Sequence, residues 1–343
     1  MTDRSAETAP RLFGFLGAYE PDGPAPDLDE LKSRLAWPDA GLHTGHTTWL
    51  LRSVSNETAP GSAIARLDNG LSVQFTGYLL NREELLGQVG AGANDPDTQP
   101  ATLCARLYRK FGVNFPARIN GMFSIVLRDD DQDRICLYAD RYGSVFPLFY
   151  REQPNLVFAN QVKILLRCPG VEPAIDESAL AVFLKYSYLP APRSILHGVQ
   201  RLGPGEMLDV KAGRVRRRRY DDFWRERLDI DPDQAKERYL EILDRSVRRK
   251  FQGFEPSRTG FFLSGGLDSS ANVAMAAKAG LSPIKTFGIG VADPKVDERP
   301  FARQVAEQFG AEFTGYEYDG SEIEDFPRMV WYLDEPFMEN GLF

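Results

Sequence analysis

Gly260-Phe261-Phe262-Leu263-Ser264-Gly265-Gly266-Leu267-Asp268-Ser269-Ser270 joins a short apolar run to a helix-like run, Ala271 to Lys278, through a loop of serines, glycines and one carboxylate. The order reads as a strand, a tight turn and a helix start. Two adjacent glycines let the backbone take positive φ and approach a ligand closely, while the first amides of the following helix point at whatever lies over the turn. An anion fits there. Three serines add hydroxyl donors, and Asp268 adds a hard oxygen suited to Mg²⁺, the ion that phosphates bring with them. The loop is therefore expected to grip a polyphosphate.

A Walker A loop would place Lys directly after its last glycine, and here Leu267 and Asp268 stand there instead. The stretch instead resembles the S-G-G-x-D-S loop of the ATP pyrophosphatase families, which hold the pyrophosphate released when ATP is cut between its α and β phosphates. The competing reading is a serine and glycine turn that merely closes a strand.

The chain has 343 residues, enough for two domains with a core each, and carries a formal charge of -8 with a pI near 5.2. An acidic surface lacks broad attraction for nucleic acid or anionic membranes, which leaves small molecules and proteins as the expected partners. The run Arg216-Arg217-Arg218-Arg219 is the exception and reads as a solvated strand end or loop, with an acidic-partner or nucleic-acid patch as the alternative. Cys104, Cys136 and Cys168 contain no C-x-x-C pair and suit a reducing compartment. His43, His46 and His197 are too scattered for a zinc site. The polar start has no secretory pattern, and no apolar run nears the ~18 residues of a membrane span, so the expected location is the cytoplasm.

From about residue 11 to 159 short strands alternate with turn signals. Asp68-Asn69-Gly70 separates Ala63 to Leu67 from Leu71 to Phe75, and Asp129-Asp130-Asp131-Gln132-Asp133 separates Met122 to Leu127 from Arg134 to Tyr138. Helices are expected near Glu83 to Val89 and Thr102 to Phe111. Residues 160–230 hold a helix from Glu177 to Lys185 among Pro-rich and Gly-rich connections such as Leu202-Gly203-Pro204-Gly205, and read as the seam between domains. Beyond it come a helix from Asp233 to Lys250, with Ala235, Tyr239, Ile242 and Val247 on one face, and the strand and loop quoted above. A strand Ile284 to Gly290, a helix Asp297 to Phe309, a strand Glu312 to Tyr318 and a helix from about Asp325 to Leu333 follow. Alternating strands and helices of these lengths imply a parallel sheet with right-handed crossovers.

The whole chain resembles the glutamine-hydrolysing asparagine synthetase family and its β-lactam synthetase relatives. Ile119-Asn120-Gly121-Met122-Phe123-Ser124, Ala139-Asp140-Arg141-Tyr142-Gly143 and Pro147-Leu148-Phe149-Tyr150 are similar to the family stretches F-N-G-M-F-A and R-D-x-x-G-x-x-P-L-Y-Y. Leu202-Gly203-Pro204-Gly205, the S-G-G-L-D-S-S loop, Lys285 to Gly290, and Asp297-Glu298 through Ala306 follow in the family order. The resemblance implies an N-terminal nucleophile (glutamine amidotransferase type 2-like) α+β sandwich over residues 11–215. After it comes an asparagine synthase-type α/β parallel-sheet ATP pyrophosphatase domain over 230–343. It implies ATP and Mg²⁺, adenylation of a carboxylate with release of pyrophosphate, then attack by an amine to give an amide. In that scheme Asp268 holds Mg²⁺, Ser264, Gly265, Gly266, Leu267, Ser269 and Ser270 surround the pyrophosphate, and Leu263 and Ile289 flank the adenosine.

Two departures qualify the resemblance. The family glutaminase uses an N-terminal cysteine activated by its own α-amine. Here Leu12-Phe13-Gly14-Phe15-Leu16-Gly17-Ala18 aligns with the family opening, and Phe13 cannot attack an amide. Ala36 stands for the arginine of R-G-P-D, and Thr76-Gly77-Tyr78 for N-G-E, so groups for glutamine's charged ends are gone. Thr2 is the other candidate nucleophile, and it lies too far ahead of the first strand. The amidotransferase-like domain is thus expected to be inactive, with the amine coming from ammonia or substrate. Second, the family carries a fourth strand ending in S-G-D-G-G-D-E, and this sequence reaches Phe343 before such a stretch. The strand Gly260 to Leu263 is therefore expected at a sheet edge, completed by a separate C-terminal polypeptide or by a homo-oligomer, or left bare in a truncated product. Alone, the chain is expected to be inactive. The alternative function is a non-catalytic ATP-binding or assembly subunit. A sulfur-transferring tRNA enzyme is disfavoured by the acidic charge and unpaired cysteines. Asp334 and Glu335 read as acids that cap or follow a helix.

Overall fold

The computed structural model describes residues 15–19, 27–35, 41–44, 48–52, 62–67, 70–91, 99–143, 145–152, 155–221, 229–251 and 255–338. The chain forms two compact units, residues up to 225 with 330–339, and residues 226–329 with 340–343.

The first unit begins with β1 (Phe15–Tyr19), α1 (Leu28–Leu35), β2 (Gly41–Thr44), β3 (Thr48–Arg52), β4 (Ser62–Arg66) and β5 (Leu71–Leu79). Helices α2 (Arg82–Val89) and α3 (Pro100–Phe111) follow, then β6 (Gly121–Asp129), β7 (Arg134–Ala139), β8 (Phe149–Arg151) and β9 (Leu156–Ala159). After α4 (Val162–Leu165), α5 (Glu177–Tyr186) and β10 (Gln200–Arg201) come β11 (Glu206–Lys211) and β12 (Arg214–Arg219). Among the described residues the strands make two sheets, ordered β10-β8-β9-β1-β3-β2 and β12-β11-β7-β6-β5-β4, and every pairing in them is antiparallel.

Strand periodicity builds the layers. Along β7, Cys136 and Tyr138 join the core shared with α3, whereas Ile135, Leu137 and Ala139 face the core between the sheets. Along β9, Leu156 and Phe158 face inward, and Val157 and Ala159 pack with Leu31 and Leu35 of α1 and Ile164 and Leu165 of α4. Because both faces of these strands are covered, their residues are apolar almost without interruption, and the period-2 pattern is lost from the sequence. Each fully buried aromatic, Tyr138, Tyr150 and Phe158 among them, contributes roughly 2–3 kcal/mol. The α3 helix starts with Pro100 in its first turn and stops at Gly112, φ 66°.

Both expected hairpins form, as β4–β5 and β6–β7. A third, β11–β12, turns through Ala212 at φ 46° and Gly213 at φ 75°, the handedness that two-residue hairpins require. The helix α1 was not among the expected elements. Among its described side chains Leu31 and Leu35, one turn apart, are buried.

The second unit contains α6 (Pro232–Phe251), β13 (Gly260–Phe262), α7 (Leu267–Lys278), β14 (Lys285–Val291), α8 (Arg299–Gln308) and β15 (Glu312–Tyr318). A further helix, α9 (Phe326–Leu333), leads back to residues grouped with the first unit. Its sheet is parallel in the order β13-β14-β15, with β13 outermost among the described residues. Helices α7 and α8 lie on one face, where Leu263, Phe261 and Phe313 meet Val273, Ala276, Ala302 and Ala306. The other face is bare: Phe262 is 84% exposed, Phe287 42%, Ile289 52% and Tyr316 56%. The stripe expected on α6 is corrected in the same way. Val247 is buried, but Tyr239 and Ile242 are exposed, because only the end of the helix reaches the second-unit core, where Phe251 packs.

Candidate functional site

The glycine and serine loop begins where β13 ends. The Leu263 amide donates to the Phe287 carbonyl at 2.8 Å and its side chain is buried in the second-unit core. Gly265 then takes φ +84°, and a Cβ there would lie 2.6 Å from Phe301 Cβ and 2.8 Å from the Ala302 amide nitrogen. Glycine is thus required twice, by the dihedral and by packing against the start of α8. Gly266, the N-cap of α7, has φ -70° and meets only Ser264 Oγ, so its small size keeps the loop open and is not demanded by the backbone.

Serines brace the turn from within. Ser264 Oγ and Ser269 Oγ lie 3.1 Å apart, the Ser264 amide donates to Ser269 Oγ, the Gly266 amide to Ser264 Oγ, and Ser269 Oγ to the Gly266 carbonyl. Ser270 Oγ is buried without a hydrogen-bond partner. The amides of Gly265, Leu267, Asp268 and Ser269 make no bond among the described residues, as expected of a helix start with no side-chain cap. Leu267 and Asp268 are exposed beside them. Four free donors and a helix N-terminus make an anion cradle that fits a polyphosphate, while the Ser270 hydroxyl lies buried beneath it. Mg²⁺ takes one or two protein carboxylates and fills its shell with water and phosphate oxygens, so Asp268 alone fits its demand. No cluster of three metal-binding side chains exists among the described residues.

Leu263 and Ile289 do not come together on one face. The Phe262–Phe287 pairing puts Leu263 in phase with Gly288, toward the helices, whereas Ile289 shares the bare face with Phe262, Phe287 and Tyr316. Leu263 could therefore meet a nucleoside only through its backbone. At the same carboxyl end of the sheet, Arg299 Nε donates to both Asp297 oxygens at 2.9 and 3.1 Å, and its Nη2 to Glu317 at 2.8 Å. The guanidinium holds the Asp297 carboxyl below its usual range. A Cβ at Gly290 would lie 2.0 Å from Asp297 Oδ1 and 2.3 Å from Arg299 Nε, so that glycine makes room for the pair. The sequence reading missed Arg299. Its trace was the alternate glycines Gly288 and Gly290 inside a strand.

In the first unit the family-like stretches hold structure. The buried Asp140 carboxylate accepts from the amides of Phe123, Tyr142 and Gly143 at 3.1, 2.8 and 2.9 Å. Its carbonyl accepts from the Gly205 amide, and Gly143 packs on Pro204, so the stretches at 139–143 and 202–205 are physically joined. Arg141 pairs with Asp221 at 2.5 Å. At Thr76-Gly77-Tyr78, Gly77 has φ +134° and a Cβ would sit 2.0 Å from the Met122 carbonyl. Thr76 is buried opposite Ser124, whose Oγ has no partner, as is also true of Gln74 Oε1. Phe13 and Ala36-Trp37-Pro38-Asp39 lie outside the described residues.

Asp334 and Glu335 follow α9 and are anchored within the first unit. Asp334, at φ +68°, accepts from the amides of Val162 and Lys163 and from Lys163 Nζ. Glu335 pairs with Arg201 at 2.9 Å, and burial pushes its carboxyl up to about 7 against that attraction.

The glutamine amidotransferase domain family matches residues 34–221 and the asparagine synthase family matches 238–342. Asparagine synthetase [glutamine-hydrolyzing] 1 of Bacillus subtilis is 24% identical over 347 residues, covering 96% of this chain and 54% of that protein. A putative asparagine synthetase of Mycobacterium bovis is 32% identical over 278 residues, covering 77% and 41%. Putative asparagine synthetase 2 of Methanocaldococcus jannaschii is 28% identical over 241 residues, covering 68% and 46%. The chain spans about half the length of these curated relatives. An antiparallel sandwich followed by a parallel sheet with a glycine-turned anion loop, matched in that order by the two domain families, makes the chain a member of the asparagine synthetase family.

Proposed function

We propose that this chain contributes the nucleotide-gripping part of an AMP-forming, ATP-dependent amide ligase that has no glutaminase activity. The observation that carries the reading is Gly265, held at φ +84° against α8, with four free amides and the Ser264 and Ser269 hydroxyls gathered at the start of α7. Bound there, ATP supplies a pyrophosphate leaving group that lets a carboxylate be activated for amide formation. The amides of Gly265 and Leu267 to Ser269 bind the pyrophosphate oxygens, Ser264 and Ser269 orient them, and Asp268 holds Mg²⁺. Ile289 offers an apolar contact to the nucleoside. The domain division at residues 11–215 and 230–343 belongs to the same reading, as does a cytoplasmic location, in keeping with the free, buried Cys104, Cys136 and Cys168.

Loss of glutaminase rests on Phe13 at the nucleophile position and on Thr76 and Tyr78 in place of an amide and a carboxylate side chain. The bare sheet face of Phe262, Phe287, Ile289 and Tyr316 calls for a covering polypeptide, which also suits a second reading as an ATP-binding assembly subunit. Two measurements test the proposal. ATP and Mg²⁺ titrated into the chain, with a complementing C-terminal piece supplied, should be taken up, and Asp268→Ala should weaken uptake by more than about tenfold; unchanged uptake refutes the loop assignment. Pyrophosphate release with a carboxylate and an amine separates ligase from assembly subunit. Glutamate released from glutamine above a Phe13→Ala control would overturn the inactive-glutaminase reading.

A further inference from the structure

The strand β12 holds Arg214, Arg216, Arg217, Arg218 and Arg219, broken only by Val215, and is the outermost strand of its sheet among the described residues. Part of this charge is used locally. Arg218 lies 3.5 Å from Asp209 and reaches Asn114, and Arg217 reaches Gln200 and lies 4.0 Å from Glu206. Asp209 is already bound in two-pronged fashion by Arg134 at 2.7 and 3.0 Å. Burial opposes ionisation of Asp209, and Arg134 and Arg218 outweigh it and hold the carboxyl below its usual range. Arg214 and Arg216 are exposed and have no ion-pair or hydrogen-bond partner among the described residues. In the register they stand opposite Lys211 and the occupied Asp209. Arg214, Arg216 and Arg218 share a face at a repeat of about 7 Å.

We infer that β12 is a docking edge for an acidic, extended peptide that adds to the sheet as a further strand. The inference does not rest on the ligase reading. An outer strand offers unpaired backbone donors and acceptors, and the arginines select what fills them. A second copy is excluded as occupant, because antiparallel self-pairing would set arginine against arginine, and like charges directly opposite destabilise a sheet. Carboxylates at alternate positions of an incoming strand repeat at the same ~7 Å and form charge-assisted, fork-like bonds to guanidinium groups. The net charge of -8 does not prevent approach, since charges beyond about 8 Å are screened at physiological salt. Nucleic acid would also meet the cations but has no use for a strand edge, which the test exploits.

The full chain is titrated with a fluorescein-labelled peptide alternating Glu and Val, read by anisotropy. Saturable binding is expected, weakened more than about tenfold by Arg214→Glu with Arg216→Glu, and restored toward wild type by Arg→Lys at both positions. A peptide N-methylated at alternate residues, which keeps its charge but cannot pair with a strand, should bind at least about tenfold more weakly. Equal binding of the N-methylated peptide, displacement of the Glu-Val peptide by an equimolar amount of single-stranded oligonucleotide, or no binding at millimolar peptide would overturn the inference. Unchanged thermal melting of the exposed-arginine variants confirms that they remain folded.

Discussion

Gly265 concentrates the physical argument for the second unit. A methyl group at this position must adopt φ +84° and displace backbone at the head of α8, because Ala302 N would lie 2.8 Å away. Gly265→Ala should therefore destabilise the unit by about 2–4 kcal/mol and lower ATP uptake, measured by urea denaturation and calorimetric titration. Retention of both would show that the turn relaxes. Glu335 gives a second outcome, set by proton linkage. Burial raises its carboxyl from the ordinary 4.5 to about 7, so the folded protein holds a proton that the unfolded chain has released across that window. Stability from this group is present below pH 4.5 and is lost as pH rises toward 7, by roughly 3 kcal/mol. Glu335→Gln should flatten the stability profile between those values, and a profile identical to wild type would mean that Arg201 keeps the carboxylate ionised.

The turn after β7 shows how one element serves another. Three amides from β6 and the turn converge on Asp140, which is 1% exposed, and its carbonyl binds Gly205 ahead of β11. Asp140→Ala removes the carboxylate acceptor of the buried Phe123 amide and of the Tyr142 amide, while the Gly143 amide keeps the backbone carbonyl of residue 140, for an expected loss of about 2–4 kcal/mol in denaturant unfolding. A loss under 1 kcal/mol would show that water replaces the carboxylate. The helix α5 has a different kind of fixture. The Asp176 carboxylate accepts from Ser178 Oγ and from the Ala179 amide at its start, which holds the Asp176 carboxyl below its ordinary range.

Across the whole chain the two units bury their sheets unequally. The first covers both sheets with helices and with each other, whereas the second leaves Phe262 84% exposed beside Phe287 and Ile289. Phe262→Lys should change the stability of the chain by less than about 0.5 kcal/mol and reduce its self-association, read by denaturation and sedimentation. A destabilisation above 2 kcal/mol would mean that the face is covered in the chain by itself. Among the described residues no helix is long and apolar enough to cross a membrane.

Local chemistry carried much of this in the sequence. The loop Ser264 to Ser270, the hairpins at Gly70 and Asp129 to Asp133, and the strand and helix order after residue 232 follow from glycine dihedrals, turn residues and hydrophobic period, which act over a few neighbouring residues. The face assignments of β7 and β9 were not legible, because strands covered on both sides lose their alternation, and the short helix α1 offers too few turns for a hydrophobic period to stand out. The exposed stripe of α6 misled for the converse reason: an apolar period shows which side a helix would bury, not that a partner is there. Pairings across long sequence separation, Arg134 with Asp209, Glu335 with Arg201, Arg299 with Glu317, and Leu263 and Ile289 on opposite faces, exist only once the sheets close. Where both residues sit on strands or at a strand end, as for Arg134 with Asp209 and for Leu263 and Ile289, the outcome depends on register, and a shift of one residue would reverse the face.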